Sequence, residues 1–434
     1  MKIAAVISEF DPFHNGHKYL IEETRRRTGC DGVVCIMSGS FTQRGKPAVC
    51  DKWARAEMAL RAGADAVIEL PFWYAVSSAQ FFALGGITAC RAIGAEVLSF
   101  GIESDEDSVR EFAKRRVSEE YGKELVSGIR AGSSYASSAG TAIGEKRLKP
   151  NDILACEYIA AAGAAGYSPQ FLMIKRAGAG HGSKETDGCF ASASQIRSML
   201  LDENWQELVR PFVPESTLEI LARWRSEERF VTADAFSAAL CVKIRTISPE
   251  RIASLPFGGG GVGQLLYNAV MRHNSWDNIV SACTSSRYTS SRISRLMVRA
   301  LAEGEKADMP DPEEKELIYF KGSIPYVRVL GVSSKSSTDR EKGDAAESED
   351  AGGNVSFRIL SELAARCRGK AVPVTAPYDY LSKNVAEKCG SATEIGRKML
   401  LADITAQAVY GSVLLDERRS AADRDLTEQF LRIV

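Results

Sequence analysis

Histidine is scarce in this chain, with 4 residues among 434. Two of them, His14 and His17, stand three positions apart, so their placement is informative. No Cys-x-x-Cys pair occurs, and the 10 cysteines lie scattered, none clustered with a histidine. That pattern argues against a zinc ribbon or a redox dithiol. It reads instead as small buried hydrophobes in a reducing, cytoplasmic setting. No apolar run reaches the roughly 18 uncharged residues of a membrane helix, so no membrane span is expected. The first apolar run, residues 3–7, is too short for a signal-peptide core and meets Glu9 and Asp11 at once. Charge of one sign is lacking too: 55 Lys and Arg face 56 Asp and Glu, a net charge of −1. Nothing global advertises nucleic acid, although a balanced sum hides a local basic face. No internal repeat is found, which sets solenoids aside.

What remains is the composition of a globular protein, 45% hydrophobic and 26% charged over a length that calls for more than one domain. Residues 1–110 alternate apolar runs of strand length with helical stretches. The runs at 3–7, 31–37, 66–70 and 96–100 read as buried strands, and 51–62 and 79–93 as helices. Alternation at this spacing predicts an α/β fold with a Rossmann-like, parallel, doubly wound sheet. Ligands in such sheets bind beyond the carboxyl ends of the strands. The turn at His14, the loop 38–47, Pro71-Phe72 and Gly101-Ile102-Glu103 are therefore expected on one edge. Residues 105–168 read as mainly helical, with Asn151 a candidate helix cap. A fifth strand is expected at 171–174, then a glycine-rich loop around His181 that could touch ligand or lie idle on the surface.

From about 216 helical patterns dominate, at 218–225, 233–244, 263–271, 287–302 and 400–415. Candidate strands at 326–330, 357–360 and 371–375 suggest a small α/β piece. The nearly apolar-free segment 333–356 reads as a flexible insertion. The expected division is a catalytic domain over 1–215 and a mainly helical region over 216–434.

His14-Asn15-Gly16-His17 is a His-x-Gly-His motif at a strand-to-helix turn. With 4 histidines and 36 glycines, such a match arises by chance in about three of a thousand chains of this length. The helix start offers free N–H groups and a positive dipole end to an anion. The glycine lets phosphates approach, and two imidazoles in one pocket donate to phosphate oxygens as charge builds there. Capping alone is the bland reading of the pair; a zinc site lacks a third ligand. A second element is Ser192-Ala193-Ser194-Gln195-Ile196-Arg197. Hydroxyls at a helix start followed by a guanidinium suit pyrophosphate, though by itself the pattern is that of a cap.

Taken with these motifs, several further runs become specific. They are Phe10-Asp11-Pro12-Phe13 ahead of the histidines, Ser38-Gly39-Ser40-Phe41-Thr42-Gln43-Arg44-Gly45-Lys46-Pro47, Asp51-Lys52-Trp53-Ala54-Arg55, Gly63-Ala64-Asp65, Lys149-Pro150-Asn151-Asp152 and Ile174-Lys175-Arg176. The chain resembles the nucleotidylyltransferase superfamily and, within it, the bacterial tRNA(Met) cytidine acetate ligase family, densely over residues 1–200 and more thinly around 287–295. That family usually carries Asn where this chain has Asp11, which adds a charge beside the nucleotide.

The resemblance implies that ATP and acetate form acetyl-adenylate and pyrophosphate. The acetyl group then passes to N4 of the wobble cytidine of elongator tRNA(Met), giving N4-acetylcytidine. ATP would be held by Ile7-Ser8-Glu9-Phe10-Asp11-Pro12-Phe13-His14-Asn15-Gly16-His17-Lys18-Tyr19-Leu20 together with Gly101, Asn151, Lys175 and Arg176. His14, His17, Lys175, Ser194 and Arg197 would serve the chemistry. Magnesium is expected as the ATP counter-ion, without a dedicated protein cage. Arg287, Tyr288, Arg292, Arg295 and Arg299 lie on or beside one predicted helix, with 288, 292, 295 and 299 along a single face. With Arg44 and Lys46 they form a candidate tRNA-binding path, against the plain reading of a solvated helix. Two other readings stand beside this one: a small-metabolite nucleotidylyltransferase that ignores RNA, and a non-catalytic nucleotide- or RNA-binding protein.

Overall fold

The computed structural model describes residues 1–133, 135–143, 149–176, 188–303, 326–333, 362–363, 365–366, 391–414 and 431–433. The expected loop at His181, the segment 334–356 and the candidate strands at 357–360 and 371–375 lie outside these residues.

The apolar runs become the centre of a seven-stranded sheet. β1 (Ile3–Ser8), β2 (Gly32–Ser38), β3 (Ala66–Leu70), β4 (Val97–Ile102) and β5 (Gln170–Lys175) run parallel, in the order β5-β4-β1-β2-β3. β1 pairs with β2 from Ile3↔Gly32 to Ser8↔Met37, and almost every residue of β1 to β4 is buried, as strands covered on both faces must be. The covering helices include α1 (Asn15–Thr28), α2 (Lys52–Arg61), α3 (Phe72–Ala75) and α4 (Ala79–Ala92). Then come α5 (Glu106–Arg116), α6 (Glu119–Arg130), α7 (Tyr135–Ile143) and α8 (Pro150–Ala164). α8 starts one residue before its expected cap. Lys149 is the N-cap and Pro150 the first helical residue, where a missing N–H costs nothing. Asn151 is thereby freed for another partner.

α9 (Ala193–Met199), α10 (Trp205–Val209), α11 (Glu215–Ser226), α12 (Ser237–Thr246), α13 (Pro249–Ser254), α14 (Val262–Val270), α15 (Trp276–Cys283) and α16 (Ser290–Ala302) follow. The chain then returns to the sheet. β6 (Arg328–Ser333) pairs antiparallel with β3, and β7 (Leu431–Ile433) pairs parallel with β6. The strand expected at 326–330 thus extends the main sheet rather than forming a separate piece, and one hydrophobic core runs from Ile3 to Leu414. The seam between β3 and β6 is electrostatic as well. The buried Lys52 ammonium lies 2.9 Å from both Glu69 oxygens, and Arg328 reaches the same carboxylate at 3.0 Å.

α17 (Ser391–Gly411) seats this C-terminal part against the edge that matters. Asp403 accepts from the Phe72 N–H at 2.7 Å, Tyr410 donates to the Ala48 carbonyl at 2.9 Å, and Gln407 bonds Ser40. The loop 38–47 is held from the other side by α16. Gly45 has φ +71°, and a Cβ there would overlap the Arg295 backbone. Among the described residues every cysteine but Cys189 is buried and all are free. No helix among them is long and apolar enough to cross a membrane.

Candidate active site

The carboxyl ends of β1 and β4, the start of α1, the loop 38–47, α8, α9 and α16 enclose a cavity of about 700 Å³. Its floor is set by a buried guanidinium. Arg55 on α2 donates to the carbonyls of Glu9 (2.6 Å), Ser38 (3.1 Å), Cys50 (3.1 Å) and Gly39, tying the ends of β1 and β2 together. Phe10 follows at φ +49°, its ring packed between Phe13 and His17 with both centroids at 4.9 Å.

His14 is the N-cap of α1. Its Nδ1 accepts the Gly16 N–H at 3.1 Å, and the His17 Nδ1 accepts the His14 N–H at 3.3 Å. The pair thus caps the helix, and one nitrogen of each ring is left outside these two bonds. With each Nδ1 acting as acceptor, a neutral ring carries its proton on Nε2, so the donor left to each ring is an Nε2–H. The rings are neutral. Burial, with Arg176 and Arg197 nearby, pushes His14 down to about 3, and burial, His14 and Arg176 push His17 well below the usual range. They stack at 3.7 Å and 25°, an arrangement that two imidazolium ions would resist. The glycine between them serves the histidine directly. A Cβ at Gly16 would come within 2.9 Å of the His14 Cε1.

Asp11 has a definite task. Its Oδ1 accepts the Val49 N–H at 2.7 Å, and its Oδ2 lies 3.2 Å from Arg197 Nη1, which also donates to the Asp11 carbonyl at 2.6 Å. The other Arg197 nitrogen donates to Ser194 Oγ at 3.0 Å. The N-cap of α9 is Ser192, closed by a reciprocal bond with Gln195, which leaves Ser194 exposed at the cavity. At the end of β4, Asn151 donates to Glu103 at 2.7 Å, and Arg176 lies against Gly101, where a Cβ would stand 3.1 Å from its stem.

Of the run 7–20, the residues that line the cavity are Ile7, Ser8, Glu9, Phe10, Asp11, His14, His17 and Leu20. The rest build the turn. Phe13 is core, and Asn15 donates to the carbonyls of Cys189 and Pro211 at 3.1 and 3.0 Å. Lys18 pairs with Glu22 at 3.7 Å, and Tyr19 meets Phe190 edge-on. Gly101, Asn151, Arg176, Ser194 and Arg197 line the cavity; Lys175, alternating with Arg176 at the strand end, is exposed and does not.

The far wall is basic. Arg44 and Lys46 are exposed on the loop 38–47, and Arg287, Arg292 and Arg295 reach the same cavity from α16 and the turn before it. Arg292 donates to the carbonyls of Phe257 (3.2 Å) and Gly259 (2.9 Å), and the Tyr288 ring lies between Arg287 and Arg292, at 5.6 and 5.3 Å. Arg295 donates to the Gln43 and Ser77 carbonyls at 3.2 and 3.0 Å; burial first, then its arginine neighbours, lowers it to about 10. Arg299 requires a correction. The expected face turns inward along α16, and Arg299 is wholly buried, paired with Glu303 at 2.6 Å and bonded to the Trp73 and Val76 carbonyls. It is a structural residue.

Sequence reading missed Arg55 as the clamp of the floor and Glu103 as the partner of Asn151. Arg55 carried a signal in the run after Asp51; Glu103 carried none beyond its place at a strand end. The assembled site offers neutral N–H donors and guanidinium forks along one wall and a cationic rim along the other. Such donors suit a polyanion whose charge increases during reaction.

The family model HIGH Nucleotidyl Transferase matches residues 1–339. The tRNA(Met) cytidine acetate ligase of Clostridium kluyveri is 33% identical over 409 residues, covering 89% of this chain and 96% of that one. The enzyme of the same name from Bacillus subtilis is 29% identical over 358 residues, 77% and 83% of the two chains. Among solved structures, apo Thermotoga maritima TmcAL superimposes with a TM-score of 0.84 at 28% identity over 100% of both chains. The form of that protein bound with alpha-thio ATP gives 0.82 at 28% identity, again over 100% of both chains.

Proposed function

We propose a two-step reaction in one cavity for this chain, which belongs to the HIGH nucleotidyl transferases and, among them, to the tRNA(Met) cytidine acetate ligases. In the first step an acetate oxygen attacks the α-phosphorus of ATP. A new P–O bond forms, the α–β bridge breaks, and acetyl-AMP and pyrophosphate result. In the second, the N4 amine of the wobble cytidine of elongator tRNA(Met) attacks the acetyl carbonyl. The bond to the AMP phosphate breaks, and N4-acetylcytidine and AMP leave.

The observation that carries this reading is the pairing of two walls around one cavity: His14, His17, Arg176 and Arg197 on one, Arg44, Lys46, Arg287 and Arg292 on the other. The Nε2–H donors of His14 and His17 need no protonation to act, so they stabilise charge on the phosphate without themselves being acids. Arg197, aimed by Asp11 and bonded to Ser194, meets the departing pyrophosphate, and Arg176 neutralises the nucleotide's phosphate. Gly101 and Asn151 take the nucleoside. Removing one such donor costs about 2.7–4 kcal/mol of transition-state stabilisation by analogy with oxyanion sites. The basic wall receives the tRNA, with phosphate contacts from Arg44, Lys46 and Arg287 and the Tyr288–Arg292 pair beside them.

The residues present do not form a cage for magnesium. Asp11 is engaged by Val49 and Arg197, Glu9 by Gln43, and among the described residues no group of three or more His, Cys, Asp or Glu side chains gathers. No step is assigned to the ion.

The test is incubation of the protein with ATP, labelled acetate and tRNA(Met). Label in tRNA, recovered as N4-acetylcytidine, is the expected result. Acetyl-AMP that passes to no tRNA would remove the second step and leave a plain adenylating enzyme; absence of ATP turnover would favour a binding protein.

A further inference from the structure

Resting on the reaction proposed above, we infer that Glu9 is the catalytic base of the transfer step, taking the proton that the cytidine N4 amine must lose. Glu9 stands one residue past the end of β1, at the centre of the sheet edge, and lines the cavity. Its backbone is fixed by Arg55, and its Oε1 accepts the Gln43 N–H at 2.5 Å. That bond ties the carboxylate to the loop 38–47, which carries Arg44 and Lys46. Glu9 thus sits at the join between the nucleotide wall and the basic wall, where the two reactants of the second step must meet.

Elimination points to the same group. An exocyclic aromatic amine attacks well only as its proton is removed. The imidazoles of His14 and His17 cannot take it, because each Nδ1 accepts a backbone N–H and each Nε2 carries the proton. Asp11 is held by Val49 and Arg197. Glu9 is the carboxylate left at the cavity with an oxygen that the Gln43 bond does not use. Burial raises its proton affinity above that of an ordinary carboxylate. Asp11 on the same segment adds to this, while the Gln43 N–H, Arg44 from the loop and Arg197 from α9 oppose it. Tyr158 of α8, itself held protonated by burial, lines the same cavity and feels the charge of Glu9.

The step balances. The amine lone pair forms the N–C bond to the acetyl carbon, the C–O bond to AMP breaks with its electrons leaving on the phosphate, and the N4 proton moves to Glu9. An acceptor-only carboxylate also matches the amino group of cytosine and repels the oxygen that uracil presents there.

The experiment supplies acetyl-AMP and tRNA(Met) directly, so that adenylation is bypassed. Glu9→Gln keeps the shape and the amide oxygen that accepts from Gln43. At saturating tRNA its transfer rate is expected to fall about 10²- to 10⁴-fold, with the KM for tRNA changed only a few-fold. The wild-type rate rises with pH as Glu9 ionises, and the variant loses that limb. Glu9→Asp keeps the limb at a reduced rate, which separates the chemistry from misfolding. Wild-type-like transfer in Glu9→Gln, a loss confined to tRNA KM, or a pH limb that survives in it would each overturn the assignment. Failure of the wild-type protein itself to pass acetyl from acetyl-AMP to tRNA would instead sink the underlying reaction, and the base with it.

Discussion

Arg197 Nη1 donates to the Asp11 carbonyl at 2.6 Å while lying 3.2 Å from the Asp11 carboxylate. One residue of the first turn therefore aims the arginine of a helix 186 positions later. Asp11→Asn keeps an oxygen for the Val49 N–H and leaves the carbonyl contact intact, so acetate-dependent ATP–pyrophosphate exchange should fall less than about tenfold. Asp11→Ala strands a buried N–H as well, a loss of about 1–3 kcal/mol, and should fall much further. Equal losses in the two variants would remove the orienting role.

His17→Ala deletes both a donor at the phosphate and the acceptor of the His14 N–H. The kcat for acetyl-AMP formation should drop about 10²- to 10³-fold. Because both rings are already neutral, the wild-type adenylation rate should show no imidazole ionisation between pH 5 and 8. An ionisation near the ordinary histidine value that disappears in His17→Ala would contradict the assigned proton positions.

The same burial shapes acid stability. His14 has a folded value of about 3, far below its unfolded value of about 6.5. The unfolded chain therefore binds more protons between those limits, and the stability contributed above pH 6.5 is lost as pH falls toward 3. His14→Gln lacks this linkage. Denaturant titrations should show the wild-type protein losing stability more steeply than the variant between pH 6.5 and 4. Parallel slopes would show that the ring is not held neutral.

The nucleotide side of the cavity was largely legible in the sequence because its residues are local. Strand, turn and cap lie within residues 3–17, and the short-range bonds of His14, Gly16 and His17 follow from their spacing. The basic side was less so. Helical periodicity grouped Arg292, Arg295 and Arg299 on one face, but periodicity does not say which face is core. Packing of α16 against the Trp73 and Val76 carbonyls decided that, and it buried Arg299 while leaving Arg287 at the rim. The partners of Asp11 and the pairing of β6 with β3 depend on contacts between segments well separated in the chain, to which no local pattern points.

The two ends of that arginine series should accordingly separate by experiment. Arg287 is exposed at the cavity, so Arg287→Ala should leave thermal stability unchanged and reduce the slope of log K against log salt for tRNA binding by about 1. Arg299→Ala breaks a buried ion pair with Glu303 and removes the bonds to the Trp73 and Val76 carbonyls. It should destabilise the fold by about 3–5 kcal/mol, seen as a lowered denaturation midpoint, with the salt slope of the remaining folded protein unaltered. A reduced salt slope in a stably folded Arg299→Ala protein would return that residue to the RNA-binding surface and reverse the inward orientation of the helix face.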